Sequence, residues 1–533
     1  MKSRPRIFGS ATALCSFAAL LLLPSVGSAT VAPANTCFWG QPAAITNGSY
    51  PAGTNIDFPD THAAYWYSSF SIAPGDQIVL HGTYPYARYF SFSLYGTVAG
   101  QPGSPLAALH DTSIVPDPGS SNPFMPGAFR WSAHRSYTVT VSGDPDPGAG
   151  LEQPNTLYAG TPGATGPQEV QLLLRVYVPN LGVDWSGGGL PTWEFDQADG
   201  TTSTGTIACA ALGTGATQPD LAIPVAEYDQ LLSFNPLTTA PAVDPPVWYA
   251  FFNVEYAEVP FLVGTPEAGL IATLPTAKTG GLYSNADSAY VYQYVDRTFG
   301  PDPNGDNILV LQGEMPTTPA TRAWEPIMNG NVDMRYWSLC NNQSIATTAV
   351  TDCLDDEQVP VNSAHDYTIV LSLPQDRPTN AYRRCGVAWM NWGTAGDGLD
   401  RPRTDLLIMR NLLPNPAFTQ AIQDIQTPGT EQAVMGPYLP TDTYETAAQF
   451  EATGCNGVHS SRRADSDAKR ATRPRLGRSF VGAWIGPSTM APASSAMNSA
   501  TSSTASGSAS TIRCSTARAS VSSLNESTRL PCR

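Results

Sequence analysis

The chain has 533 residues, with 46 Gly, 48 Pro, 42% hydrophobic and 14% charged residues, and a formal net charge of −16. So much Gly and Pro excludes a helical bundle or coiled coil, the apolar fraction excludes a wholly disordered chain, and the length allows roughly two to four domains. The charge is uneven: residues 30–455 hold 14 basic and 41 acidic residues, with Lys278 the one lysine, and such a surface repels phosphate backbones and argues against nucleic-acid partners.

Residues 1–29 carry Lys2, Arg4 and Arg6, then an apolar run from Ala11 to Leu23, then Pro24 and the small residues Gly27, Ser28 and Ala29. This order predicts a secretory signal peptide and a secreted or extracytoplasmic protein, with no membrane span once the signal is removed. In an oxidising compartment, Cys37, Cys209, Cys340, Cys353, Cys385 and Cys455 are expected to form three disulfides. Many connectivities are open and the sequence does not choose among them. Cys37–Cys209, Cys340–Cys353 and Cys385–Cys455 are adopted as the working pairs. No Cys-x-x-Cys supports a redox motif or zinc ribbon.

From residue 30 onward the elements are strand-like, and six blocks recur in order. Residues 64–67 (Ala-Tyr-Trp-Tyr) parallel 289–292 (Ala-Tyr-Val-Tyr), and 76–85 parallel 306–316. Residues 87–92 parallel 334–339, and Asp111 with Val115-Pro116 parallels Asp355 with Val359-Pro360. Residues 137–142 parallel 367–372, and Leu174-Arg175 with Pro179-Asn180 parallels Met409-Arg410 with Pro414-Asn415. Their β-branched and aromatic residues alternate, and Pro- and Gly-rich turns separate them. The expected architecture is mostly β: two homologous antiparallel β-sandwich or jelly-roll domains, at 30–215 and 279–455, made by tandem duplication. A connector, 216–278, carries the apolar run 247–252, expected to pack between the domains. Helices are expected only at 220–234, 416–426 and 443–451. Residues 456–533 turn basic and rich in Ser, Ala, Thr and Arg, which reads as a disordered tail or as a shifted reading frame.

The succession Arg-Tyr-aromatic-Ser, Asp with a downstream Pro, Tyr-Thr-Val, Asn with aromatics (Asn155 to Tyr158; Trp389-Met-Asn-Trp392) and Leu-Leu-Arg-x-x-x-Pro resembles an exported bacterial family. It is the domain-of-unknown-function family numbered twelve-fourteen, with its twelve-fifty-four companion. The resemblance spans most of both halves and implies β-sandwich or jelly-roll domains, often paired in one chain. It implies no activity. The cysteines and the tail depart from the family pattern.

No Gly-x-Ser-x-Gly elbow, His-Glu-x-x-His or P-loop occurs. Arg88 and Arg335 lie within apolar strands and need partners, for which Asp111 and Asp355 are candidates. They read as a duplicated ion pair pinning strands together, or as arginines that capture a carboxylate or sugar hydroxyl. Four histidines, His62, His81, His110 and His134, fall in the first domain, and His110 beside Asp111 is the one best placed for chemistry. Asp302, Asn304 and Asp306 place oxygen side chains at alternate positions, as calcium loops do, but Gly313 stands where the closing acid belongs. A turn is the simpler reading, and no cofactor is expected other than calcium at that loop. Trp66, Trp389 and Trp392 belong to aromatic clusters that are core or, where they face water, a platform for sugar rings. The expected function is a secreted, non-catalytic binding or surface protein whose partner is a glycan or another cell-surface ligand. The alternatives are a secreted hydrolase or lyase using His110, Asp111 and Arg88 between the domains, and a self-assembling scaffold.

Overall fold

A computed structural model describes residues 37–457, apart from 41, 46–48, 99–100, 215–225, 227, 230–242, 255, 258–276, 279–280 and 302–306. The expected signal segment, the loop of Asp302, Asn304 and Asp306, most of the connector and nearly all of the tail lie outside the described residues.

The first half contains β1 (Ala63–Ile72), β2 (Gln77–Thr83), β3 (Ala87–Val98), β4 (Gln101–His110), β5 (Ser136–Pro145), β6 (Thr156–Gly160), β7 (Gln168–Pro179), β8 (Thr192–Asp196), β9 (Thr202–Ser203) and helix α1 (Gly205–Leu212). Its sheets run β1-β7-β3-β4 and β6-β5-β2-β8-β9. The second half contains β10 (Tyr249–Ala250), β11 (Ser288–Asp296), β12 (Asn307–Glu314), β13 (Met334–Asn342), β14 (Val350–Asp355), β15 (Asp366–Ser372), β16 (Val387–Asn391), β17 (Thr404–Pro414), α2 (Glu431–Met435), β18 (Thr441–Thr446) and α3 (Ala447–Ala452). Its sheets run β10-β11-β17-β13-β14 and β16-β15-β12-β18. The chain is thus mostly β, two β-sandwiches with a few short helices. Strand order matches between the halves, down to one parallel pair in each, β5 with β6 and β15 with β16, among antiparallel neighbours. Five of the six recurring sequence blocks fall on matching strands, and the sixth on the turns that follow β4 and β14.

Period-two alternation sorts each central strand between two cores. On β7, Leu172, Leu174 and Val176 enter the core of the first sandwich, while Leu173 and Tyr177 face a cluster shared with the second. On β3, Phe90, Phe92 and Leu94 point inward, and Tyr89 and Tyr95 point to that shared cluster. β13 does the same with Trp337 and Leu339 inward and Tyr336 outward. The β1-β7-β3-β4 sheet therefore packs against the β10-β11-β17-β13-β14 sheet, and both are buried on two faces. Gly82 and Gly313 are matching glycines that lie under the rings of Tyr137 and Tyr367. A Cβ at Gly82 would meet Tyr137 at 2.2 Å, and one at Gly313 would meet Tyr367 at 2.5 Å.

The disulfides are Cys37–Cys209, Cys340–Cys353 and Cys385–Cys455. The first ties the segment before β1 to α1, the second joins directly opposed residues of β13 and β14, and the third ties the turn before β16 to the residues after α3. Other expectations change. Residues 416–426 form one 3-10 turn, Ile422–Asp424, because Ile422 and Ile425 both dock into the second core without a helix around them. Residues 443–451 divide between β18 and α3. Helix α1 was not anticipated. The run 247–252 packs between the sandwiches in part, through Phe251, which shares a cluster with Phe58 of the first half, while Tyr249 and Ala250 add an edge strand to β11, and Trp248, Ala250 and Phe252 enter the second core.

Candidate functional site

Of the tryptophans read as core or as a sugar platform, two are core and the third is partly covered. Trp66 and Trp392, at 1% and 0% exposure, are core residues of the first and second sandwich, because each sits on a strand face or strand end directed inward. Trp389 is half-buried and bonds Ser372 Oγ at 2.9 Å, and the guanidinium of Arg377 lies 4.6 Å over its ring.

The arginines make ion pairs, Arg335 with the candidate Asp111 and Arg88 with acids other than the two candidates. Arg88, on β3 of the first half, pairs with Asp356 and Glu357 of the second half and donates to Thr321 Oγ1 at 2.9 Å. Arg335, on β13, pairs with Asp111 of the first half at 3.1 Å. Asp355 pairs with Arg322. The acid equivalent to Asp111 is Asp356. Asp111 N donates to Phe90 O and Asp356 N to Trp337 O, while each carboxylate accepts from the N–H of that same strand residue. The sequence match at Asp355 was one residue out of step, and the pairs cross between sandwiches rather than closing within one.

The same crossing recurs along the interface. Tyr89 OH donates to Asn285 Oδ1 at 3.1 Å and Asp287 Oδ2 at 2.6 Å, and Tyr336 OH donates to Asp60 Oδ2 at 2.8 Å. Arg175 reaches the carbonyl of Tyr283, and Arg410 that of Phe58. The leader segments carrying those carbonyls share an uncommon backbone: Asp57 and Phe58 have φ of 61° and 51°, Leu282 and Tyr283 of 52° and 51°. His110 Nδ1 lies 3.1 Å from Asp287 Oδ1. That contact, more than the opposing effect of burial, raises the His110 pKa. Burial raises the Asp111 carboxyl to about 6 despite Arg335. His81 and His134 stay on the exterior, His81 3.4 Å from Glu194.

Between the two leaders and the facing sheets lies a cavity of about 320 Å³. Tyr65, Tyr67, Tyr177, Tyr283, Tyr290, Tyr292 and Tyr294 line it, with Leu173, Ile408 and Phe251 among the apolar walls and Arg175, Arg410 and Asp57 among the polar ones. Burial raises the pKa of Tyr65, Tyr67, Tyr177, Tyr283 and Tyr292, which remain neutral phenols. The Tyr292 hydroxyl has no hydrogen-bond partner among the described residues, although buried hydroxyls ordinarily have one. A cavity of this size, mostly apolar with a few convergent polar groups, has the character of a small-molecule site. Asp60, Cys340 and Cys353 also cluster, but the two sulfurs are joined in a disulfide and offer no thiolates to a metal. The recurring Tyr and Arg175/Arg410 blocks were visible in the sequence. What they enclose was not, because its walls come from strands of opposite halves.

No protein-family profile matches the chain, and no curated protein matches it. Among solved structures, the chain is similar to an uncharacterised protein from Burkholderia cenocepacia, at 11% identity and a TM-score of 0.37, over 74% of this chain and 79% of that one. It is also similar to the VPA0106 protein from Vibrio parahaemolyticus, at 10% identity and a TM-score of 0.32, over 73% of this chain and 90% of that one.

Proposed function

We propose that this is a secreted, non-catalytic binding protein, formed from two duplicated β-sandwiches, that holds a small and largely apolar molecule in the cavity between them. The tyrosine-lined cavity carries this reading. Stacked and edge-on rings suit a flat apolar ligand. Three disulfides, together with the absence of any helix among the described residues long and apolar enough to cross a membrane, accord with an extracytoplasmic setting. The hydrolase or lyase alternative is weakened. His110, Asp111 and Arg88 are each engaged by a charged partner across the interface, and none of them lines the cavity. The test is fluorescence titration of the disulfide-bonded protein with N-phenyl-1-naphthylamine, a neutral apolar dye. Saturable binding is expected, and Ile408→Trp, which fills the cavity, should abolish it with the thermal midpoint retained. Unchanged binding by that variant would refute the site.

A second reading rests on Phe129 and Trp131, which are 52% and 45% exposed with ring centres 5.7 Å apart. Such a pair can stack on sugar rings, so the expected glycan partner is assigned to this loop rather than to Trp66, Trp389 or Trp392. A thermal shift produced by one glycan class and lost in Trp131→Ala would support it.

A further inference from the structure

Arg175 and Arg410 occupy matching places in the two halves. Arg175 pairs in register with Tyr65 and Ser91, and Arg410 with Tyr290 and Ser338. Each reaches the carbonyl of the opposite leader, and each donates to the matching position on the neighbouring strand, Ser93 Oγ or Cys340 Sγ, at 2.8 Å. Their counter-charges differ. Asp60 Oδ2 lies 3.9 Å from Arg410. Burial would push the Asp60 carboxyl up, but His62, Arg410 and Ser338 hold it below the usual carboxylate range. The residue matching Asp60 in the second half is Asn285. Both are fixed alike: Asp60 N donates to Tyr65 OH and Asn285 N to Tyr290 OH, while each side-chain oxygen accepts from the N–H two residues on. At Asn285 the position is neutral.

Arg175 is therefore a cation at 1% exposure whose partners are Ser93 Oγ, Tyr95 OH and the Tyr283 carbonyl, with no carboxylate pairing with it among the described residues. A guanidinium so placed is incompletely offset, and it lines the cavity. Asp287 is engaged by His110 and Tyr89. We propose that the missing negative charge comes from the ligand: the cavity takes a small apolar monoacid whose carboxylate or sulfonate faces Arg175 and whose rings or chain lie against the tyrosines. Asp57, on the other leader, also lines the cavity, which disfavours a second acidic group on the ligand. This inference rests on the cavity being a binding site.

The test compares two dyes with one ring system, 1-anilinonaphthalene-8-sulfonate and the neutral N-phenyl-1-naphthylamine, on the folded, disulfide-bonded chain. The sulfonate should bind about tenfold tighter or better, with Ile408→Trp removing both signals. Asn285→Asp restores the absent counter-charge without touching Arg175. It should weaken the sulfonate by about tenfold and leave the neutral dye unchanged. Arg175→Met is the second variant, expected to bring the sulfonate down to the level of the neutral dye. Equal affinity for both dyes, or a sulfonate affinity unmoved by Asn285→Asp, would overturn the inference while leaving the binding site intact. Failure of both dyes to bind would overturn the site as well.

Discussion

Asp111 is a fully buried carboxylate whose ionised form depends on Arg335 reaching it from the other sandwich. Removing one member of a buried pair leaves an unpaired charge, so Arg335→Met should cost about 3–5 kcal/mol. Adding Asp111→Asn should recover most of that loss. Urea midpoints of the single and double variants measure it, and an additive double variant would contradict direct pairing. The need for a partner was legible in the sequence, because an arginine among apolar strand residues demands one. The partner's identity was legible for Arg335, with Asp111 among the candidates, and not for Arg88. Arg88 and Asp356 are 268 residues apart, and the step from Asp355 to Asp356 is set by the turn after β14, which residue types do not fix. The histidines gain a partial account at this scale. His110 meets Asp287 of the second half, whereas His62 is held first by Asp60 of its own half, with Asp355 of the second half adding to it.

The strands were legible because β-branched and aromatic residues alternate along them, and the disulfides now rank the elements they hold. In the chain-entropy account a bridge stabilises more when it closes a longer loop. Cys37–Cys209 spans 172 residues and Cys340–Cys353 spans 13. Replacing the first pair by serine should cost about 5 kcal/mol and the second about 3 kcal/mol. Denaturant unfolding of the two double variants gives the order, and a reversal would show that native contacts outweigh loop closure. Gly82→Ala drives a methyl into the Tyr137 ring and should cost about 1–3 kcal/mol, read as a fall in thermal midpoint. Elements that were not legible share a cause. β10 has two residues, too few for a pattern. Around Ile422, a spacing that suits a helix is satisfied by a single turn docked on a finished core.

Across the whole molecule, proton affinities tie stability to pH. Burial raises Asp111 to about 6 and Asp442 to about 7. The Asp287 contact raises His110, and His62 is raised by Asp60 and Asp355 against the effect of its burial. Each of these groups binds its proton more tightly folded than unfolded. The stability it confers is complete below its unfolded pKa and is lost as pH rises through its folded one. Asp60 runs the other way, contributing above the ordinary carboxylate range and failing in acid. A stability maximum at about pH 4–6, falling toward pH 8, is the expected profile of thermal midpoints, and an unchanged midpoint from pH 5 to 8 would contradict it. The cavity is hidden at this scale because its walls come from strands far apart in the chain, and crossed contacts make each half the lining of the other. In a symmetric dimer of identical chains every substitution appears twice, so a carboxylate lost beside one arginine is lost beside its mate. Here both arginines belong to one polypeptide. Asp60 lies beside Arg410 while the matching Asn285 is neutral, so covalent linkage lets two equivalent positions carry different charges, which is what the proposed acid-binding role of Arg175 requires.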